Sequence, residues 1–213
     1  MSTGPGTSVA VLLAAGAGTR LGRGPKALLP RRGRSLVDHA VDVLLDGGCD
    51  TVVVVLGAEA ARVVAEAALD RPGVQVVVND DWASGMASSL RAGTDAALGL
   101  GAARVVVSHV DQPGTVPDDV ARLLAAHRPE RVAVSRWSDV PSAGTTGPDG
   151  TGTTRWAHPL VLDAALAGPA AASARGDRGA REFLREHADL IDVVEHPGDG
   201  RDLDTESDLD LLS

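Results

Sequence analysis

Lys26 is the only lysine in this chain; the other basic residues are all arginine. It closes a stretch, Val9 to Pro30, in which an apolar run gives way to Gly16, Gly18, Gly22 and Gly24. An ammonium is a compact point charge that moves between phosphate oxygens, whereas a guanidinium is a planar fork that prefers two-point partners. Residues without bulk let backbone N–H groups close around phosphate oxygens. Loop and lysine together read as a polyphosphate site; Lys26 alone reads equally well as a solvated charge. The Gly-Lys-Ser/Thr ending of a Walker loop is missing, and the glycine spacing is not that of the GxGxxG dinucleotide fingerprint. Other residues able to do chemistry lie far along the chain: Asn79, the only asparagine, Asp111, His158, Arg178, Arg181, Asp202 and Asp204.

Bringing such distant residues together requires a sheet with loops at one end. Strand-length apolar runs alternate with helix-period segments, which predicts helices packed on the faces of a mostly parallel sheet, a three-layer α/β/α sandwich. The expected strands are Val9–Leu13, Thr51–Leu56, Val74–Val78, Arg104–Val110, Val132–Val134 and one near Ile191–Glu195. The expected helices are Leu36–Asp46, capped by Ser35, then Ala58–Leu69, Ser88–Leu98, one from Pro117 to about His127, a short helical piece at Pro159–Leu162 and a helix from Arg178. Thr205 and Asp208 have capping-box spacing for a terminal helix. Residues 138–154, rich in Gly, Thr, Ser and Pro, read as a long mobile loop or an exposed hairpin. No repeat or domain boundary is visible, so one domain over 1–213 is expected.

Composition excludes several classes. A net charge of −9 argues against nucleic-acid binding, whose affinity comes from clustered cations neutralising phosphates. With one cysteine, Cys49, neither an internal disulfide nor a cysteine zinc site can form. No apolar run has the roughly 20 residues that span a bilayer, and the N-terminus lacks signal-peptide features, so no membrane partner and a cytoplasmic location are expected.

LAAGAGTRLGRGPKALLP (Leu13 to Pro30) resembles the signature loop of nucleotidyltransferases with the sugar-nucleotide-transferase type of fold. NDDWASGMASSLRAG (Asn79 to Gly93) resembles a stretch of the molybdenum cofactor cytidylyltransferases. DQP at Asp111, HP at His158, GDRGAR at Gly176 and DLDT at Asp202 match that family in the same order. The resemblance implies a magnesium-dependent transfer of a cytidylyl group from CTP to a phosphorylated acceptor of molybdopterin type, with a molybdoenzyme as receiver of the product. The rivals are a guanylyl or other nucleotidyl transfer to a sugar phosphate or phospho-acid, and a non-catalytic cofactor chaperone. It implies that Leu13, Ala14, Ala15, Gly16 and Gly18 hold the nucleotide, and that Arg20 and Lys26 neutralise phosphate charge. Asn79, Asp80, Gly85, Ser88 and Ser89 would line the base and ribose side. His158 would position substrate or pack in the core, because a phosphate nucleophile needs no general base. Arg178 and Arg181 would hold an acceptor phosphate or simply begin a helix. Asp111 and Asp204 would bind Mg2+, a hard cation that takes one or two carboxylates; Asp202 competes with Asp204 for the second place. The doublet Ala15-Gly16 points to CTP over GTP. Thr19 replaces a more usual serine, and Val110 a more usual glycine.

Overall fold

Val9, Ala10, Val11 and Leu12 have no solvent exposure at all, which a strand achieves only when both its faces are covered. In the computed structural model, which describes residues 6–138, 157–198 and 200–213, this run is β1 (Ser8–Leu13). A two-strand hairpin follows, β2 (Pro30–Arg31) and β3 (Arg34–Ser35), and leads into α1 (Leu36–Asp46). Then come β4 (Thr51–Leu56), α2 (Ala60–Glu66), β5 (Val74–Val78) and α3 (Met86–Gly99). Next are β6 (Arg104–His109), α4 (Pro117–Ala126) and β7 (Val132–Trp137). The chain ends with β8 (Ala157–Asp163), α5 (Ala164–Ser173), α6 (Arg181–Glu186), β9 (Ile191–His196) and a 3-10 segment, Glu206–Leu212.

The main sheet has seven strands in the order β5-β4-β1-β6-β8-β7-β9. β8 runs antiparallel to both its neighbours, and every other adjacent pair is parallel. Strand alternation splits the core into two layers. Ala10, Leu12, Val52, Val54, Leu56 and Val106 face α1, α2 and α4, while Val9, Val11, Val53, Val55, Val105 and Val107 face α3, α5 and α6. The expected α/β/α sandwich is therefore the observed one. No described helix is long and apolar enough to cross a membrane.

Several boundaries differ from expectation for identifiable reasons. Pro159–Leu162 is not helical but the centre of β8, where Leu160, Val161 and Leu162 are buried between β6 and β7. A helix leaves one face of such a run toward solvent; a central strand buries both. The helix expected from Arg178 is a 3-10 turn, Gly176–Arg178, followed by α6. The second helix stops at Glu66 because the Ala68 N–H leaves the helical path to donate to the buried Asp38 carboxylate at 2.9 Å. β7 continues past Val134 to Trp137, paired with β9 throughout. The Thr205–Asp208 spacing does form a cap, the Thr205 N–H donating to Asp208 Oδ2 at 2.8 Å, but it opens a 3-10 segment. The stretch read as a loop or hairpin, 138–154, lies outside the described residues apart from Ser138.

Candidate active site

β1 lies between β4 and β6, so the loops after these three strands meet at the carboxyl edge of the sheet, the usual ligand edge of an open parallel sheet. The loop after β1 turns on Gly18, which has φ +63; a Cβ there would run into the Gly24 carbonyl. The N–H groups of Leu21 and Gly22 both donate to the Gly18 carbonyl, at 3.2 and 3.3 Å. Gly16, by contrast, has nothing within 4 Å of its Cβ position, so its backbone is open to a ligand. Leu13, Ala14, Ala15, Gly16, Gly18, Arg20 and Lys26 all line the resulting cleft, with Gly85, Ser89, Asp111, His158 and Asp204.

At the centre of the cleft Lys26 Nζ donates to Asp111 Oδ2 at 2.9 Å and to Asp204 Oδ1 at 2.6 Å. Arg20 approaches Asp204 at 3.5 Å. Burial opposes the lysine charge, but Asp111 and Asp204 together outweigh it and hold the Lys26 ammonium above its ordinary pKa. The terminal acids reach the site through backbone: the Leu203 N–H donates to the Asp111 carbonyl at 2.7 Å, and the Leu203 side chain is fully buried. Pinning Leu203 places Asp202 and Asp204 on either side of it. Asp202 accepts from Gln112 Nε2 at 2.9 Å. Burial, then the neighbouring Asp111 charge, push the Asp202 carboxyl above its ordinary value.

The other wall is the loop from β5 to α3, with a 3-10 turn at Trp82–Ser84, built around Asn79. Its side-chain amide donates to Ser88 Oγ at 2.8 Å and Ser89 Oγ at 3.0 Å, and Ser88 Oγ donates onward to Asp81 or Gly85 carbonyls. Asn79 and Ser88 are buried and spend their polar groups on holding the loop, while Asp80 is exposed outside the cleft. Among these residues the structure brings Gly85 and Ser89 to the cleft and leaves Asn79, Asp80 and Ser88 behind it. Trp82 also lines the wall; a Cβ on Gly57 would collide with it and lie 2.9 Å from the Ala15 carbonyl.

Three contributors escaped the sequence reading. His109 packs against His158 with ring centroids 4.1 Å apart and the planes tilted by 32°. Gln112 holds Asp202 as described. Asp177 accepts from the Met86 N–H at 3.1 Å, capping α3 from the adjacent Gly176–Arg178 turn because Gly85 at the helix start has no side chain to do so. The signal for Asp177 lies in GDRGAR, between the glycine and the first arginine. Arg178 and Arg181 line the cleft and make no ion pair among the described residues.

Burial lowers the pKa of both imidazoles, His158 strongly with added repulsion from His109 and Arg181, and His109 against the pull of Asp111 and Asp202. Both are neutral in the folded chain near neutrality. In the unfolded chain they take protons near their ordinary value of 6.5. Below that value the unfolded state binds more protons, so stability falls as pH falls. The stability loss between about pH 7 and pH 5 is expected to be smaller in His158→Gln than in the unaltered chain, as measured by denaturant midpoints. Equal slopes would remove the imidazole pair as the cause.

Two carboxylates brought to one cation match magnesium, which takes one or two protein carboxylates and completes its shell with water and phosphate. Among the described residues no group of three or more His, Cys, Asp or Glu side chains is arranged as a metal cage, and a nucleotide-borne ion needs none.

The MobA-like NTP transferase domain family matches residues 10–190. The nicotine blue oxidoreductase of Paenarthrobacter nicotinovorans is 47% identical over 197 residues, 92% of this chain and 91% of that protein. Rv0371c from Mycobacterium tuberculosis H37Rv has a TM-score of 0.78 at 28% identity, covering 98% of each chain. A second structure of Rv0371c, in complex with manganese, has a TM-score of 0.71 at 25% identity, covering 97% of each chain. A nucleotidyl transferase from Methanothermobacter has a TM-score of 0.75 at 25% identity, covering 95% of this chain and 94% of its own.

Proposed function

The chain belongs to the MobA-like NTP transferase family, and from that premise we propose that it transfers a cytidylyl group from CTP to a phosphorylated acceptor of molybdopterin type. The observation that carries this reading is the convergence of Lys26, Asp111 and Asp204 in the cleft that the open backbone of Gly16 also lines. An acceptor phosphate oxygen attacks the α-phosphorus of the nucleotide; the new P–O bond forms as the bond to the leaving pyrophosphate breaks, and the electron pair leaves with it. The backbone from Ala14 to Gly18 cradles the triphosphate, and Arg20 and Lys26 neutralise the charge that grows on the leaving oxygens. Asp111 and Asp204 would hold Mg2+, which supplies Lewis-acid neutralisation of the same phosphates. Arg178 and Arg181 hold the acceptor phosphate beside the neutral His158 ring. Catalysis then consists of alignment and charge neutralisation with no covalent intermediate. The Ala15-Gly16 doublet supports CTP, and a molybdoenzyme is the expected recipient of the product.

One observation favours a second reading. A relative 47% identical across nearly the whole chain is named an oxidoreductase. In that reading the cleft holds a nucleotide-borne reductant such as a reduced nicotinamide dinucleotide, and a hydride passes to an organic acceptor. The protein itself then needs no redox group, and Cys49 offers none: it is buried, and burial pushes its thiol up to about 12.

Pyrophosphate release with magnesium, using CTP, GTP, ATP and UTP against molybdopterin-type cofactor, separates the readings. Cofactor-dependent release with CTP supports the proposal, and release with another nucleotide replaces the base. Oxidation of reduced nicotinamide dinucleotide with no pyrophosphate supports the second reading. Nucleotide binding without either turnover indicates a chaperone.

A further inference from the structure

Lys26 is asked to be in two places. Its ammonium sits between Asp111 and Asp204 at 2.9 and 2.6 Å, and those oxygens are the donors assigned above to a divalent cation. A magnesium ion bound to them would lie about 2.1 Å from each, in the region the ammonium fills, and a positive charge held beside it would repel it. The same ammonium is the one the glycine-rich loop offers to phosphate. The lysine stem is four flexible carbons ending in a point charge with no fixed donor geometry, so exchange between carboxylate and phosphate oxygens needs only rotation about its own bonds.

We infer that Lys26 is the resident cation of the Asp111–Asp204 pair in the nucleotide-free protein, and that a divalent cation enters as the metal–nucleotide complex and not as the free ion. The triphosphate draws the ammonium off the carboxylates while the metal takes its place, so the pair is never left without a cation. Lys26 is only 14% exposed and Asp111 23%, which keeps solvent from screening the competition. Arg20, 78% exposed and 3.5 Å from Asp204, is a poor substitute for the lysine because water screens it. Asp202 lies on the far side of Leu203, held by Gln112, and adds negative charge that either cation must offset. The inference rests on the nucleotidyltransferase reading for its assignment of the two carboxylates.

The test is a Mn2+ titration of the full chain, followed by the electron paramagnetic resonance of the free ion, without nucleotide and with CTP or GTP. Lys26→Met keeps the length of the side chain and removes its charge; Lys26→Gln serves if the first variant does not melt cooperatively. Without nucleotide, the Lys26 variant is expected to bind Mn2+ at least about tenfold more tightly than the unaltered chain. Adding nucleotide, with the Mn2+ that nucleotide takes up in a protein-free blank subtracted, should raise the affinity of the unaltered chain to that of the variant or beyond. Asp111→Asn should bind weakly in both conditions. Equal nucleotide-free affinities in the unaltered chain and the Lys26 variant would overturn the inference, as would no binding to either. Pyrophosphate release is followed on the same samples: the exchange without release leaves this inference standing and removes the reaction, and release without the exchange does the reverse.

Discussion

Asp111→Asn is expected to lower turnover by about two decades or more with little change in melting temperature. The substitution keeps the shape of the side chain and leaves the Asp111 carbonyl to accept from Leu203 as before, so the terminal strap stays docked. What disappears is one negative charge that serves two partners. Lys26 loses its 2.9 Å carboxylate and leans on Asp204 alone, and on the proposed reading a metal would lose one of two carboxylates. Asp202, whose carboxyl is pushed up by burial and then by Asp111, is relieved of its neighbour, which offsets part of any stability cost. Asp204→Asn is expected to do less, because that side chain is 42% exposed against 23% for Asp111 and water can take its place. Steady-state pyrophosphate release together with thermal melting checks both. Near-normal turnover in Asp111→Asn would remove this residue from the mechanism.

The pattern of success in reading the sequence follows from what each residue depends on. β1, β4, β5 and β6 were legible because buried parallel strands are continuous apolar runs, visible within a short window. β8 was not, because HPLVLD is equally apolar as a helix or a strand, and only the strands on either side of it decide. α5 gave no signal: AALAGPAAAS has no polar face and carries Pro169 inside it. In the candidate site, Lys26 stands out by its type and Arg20, Asp111 and Asp204 by the family resemblance, and the structure places these four side by side. Residues that work through a partner could not. Asn79 and Ser88 carry the right donors for a ligand, yet three-dimensional neighbours claim them for the loop. Asp177 acts on Met86, 91 positions away, and Leu203 reaches the site only through a backbone bond to Asp111.

The largest effect on the fold is expected at Gly93, in the middle of α3. A Cβ there would lie 2.7 Å from Val55 Cγ2 and closer still to Val11 Cγ1. Both valines are fully buried on the central strands β4 and β1, whose positions are fixed by ladders on both sides, so the helix must give way and not the sheet. Alanine gains up to about 1 kcal/mol over glycine in helix propensity, while overpacking of this kind costs about 1–3 kcal/mol, so Gly93→Ala should be net destabilising. Gly93→Val adds two more carbons against the same strands and should cost about 3 kcal/mol or more, a fall in melting temperature of roughly 6–12 °C. The damage should also reach chemistry, because the first turn of α3 carries Met86 and Ser89 into the cleft. Gly99 at the end of the same helix is the internal control: nothing lies within 4 Å of its Cβ position, so Gly99→Ala should be neutral or stabilising by up to about 1 kcal/mol. Opposite signs at the two glycines would locate the effect in the approach of α3 to the sheet. The same shift at both would mean that helix propensity decides and that the close contact with Val11 and Val55 does not.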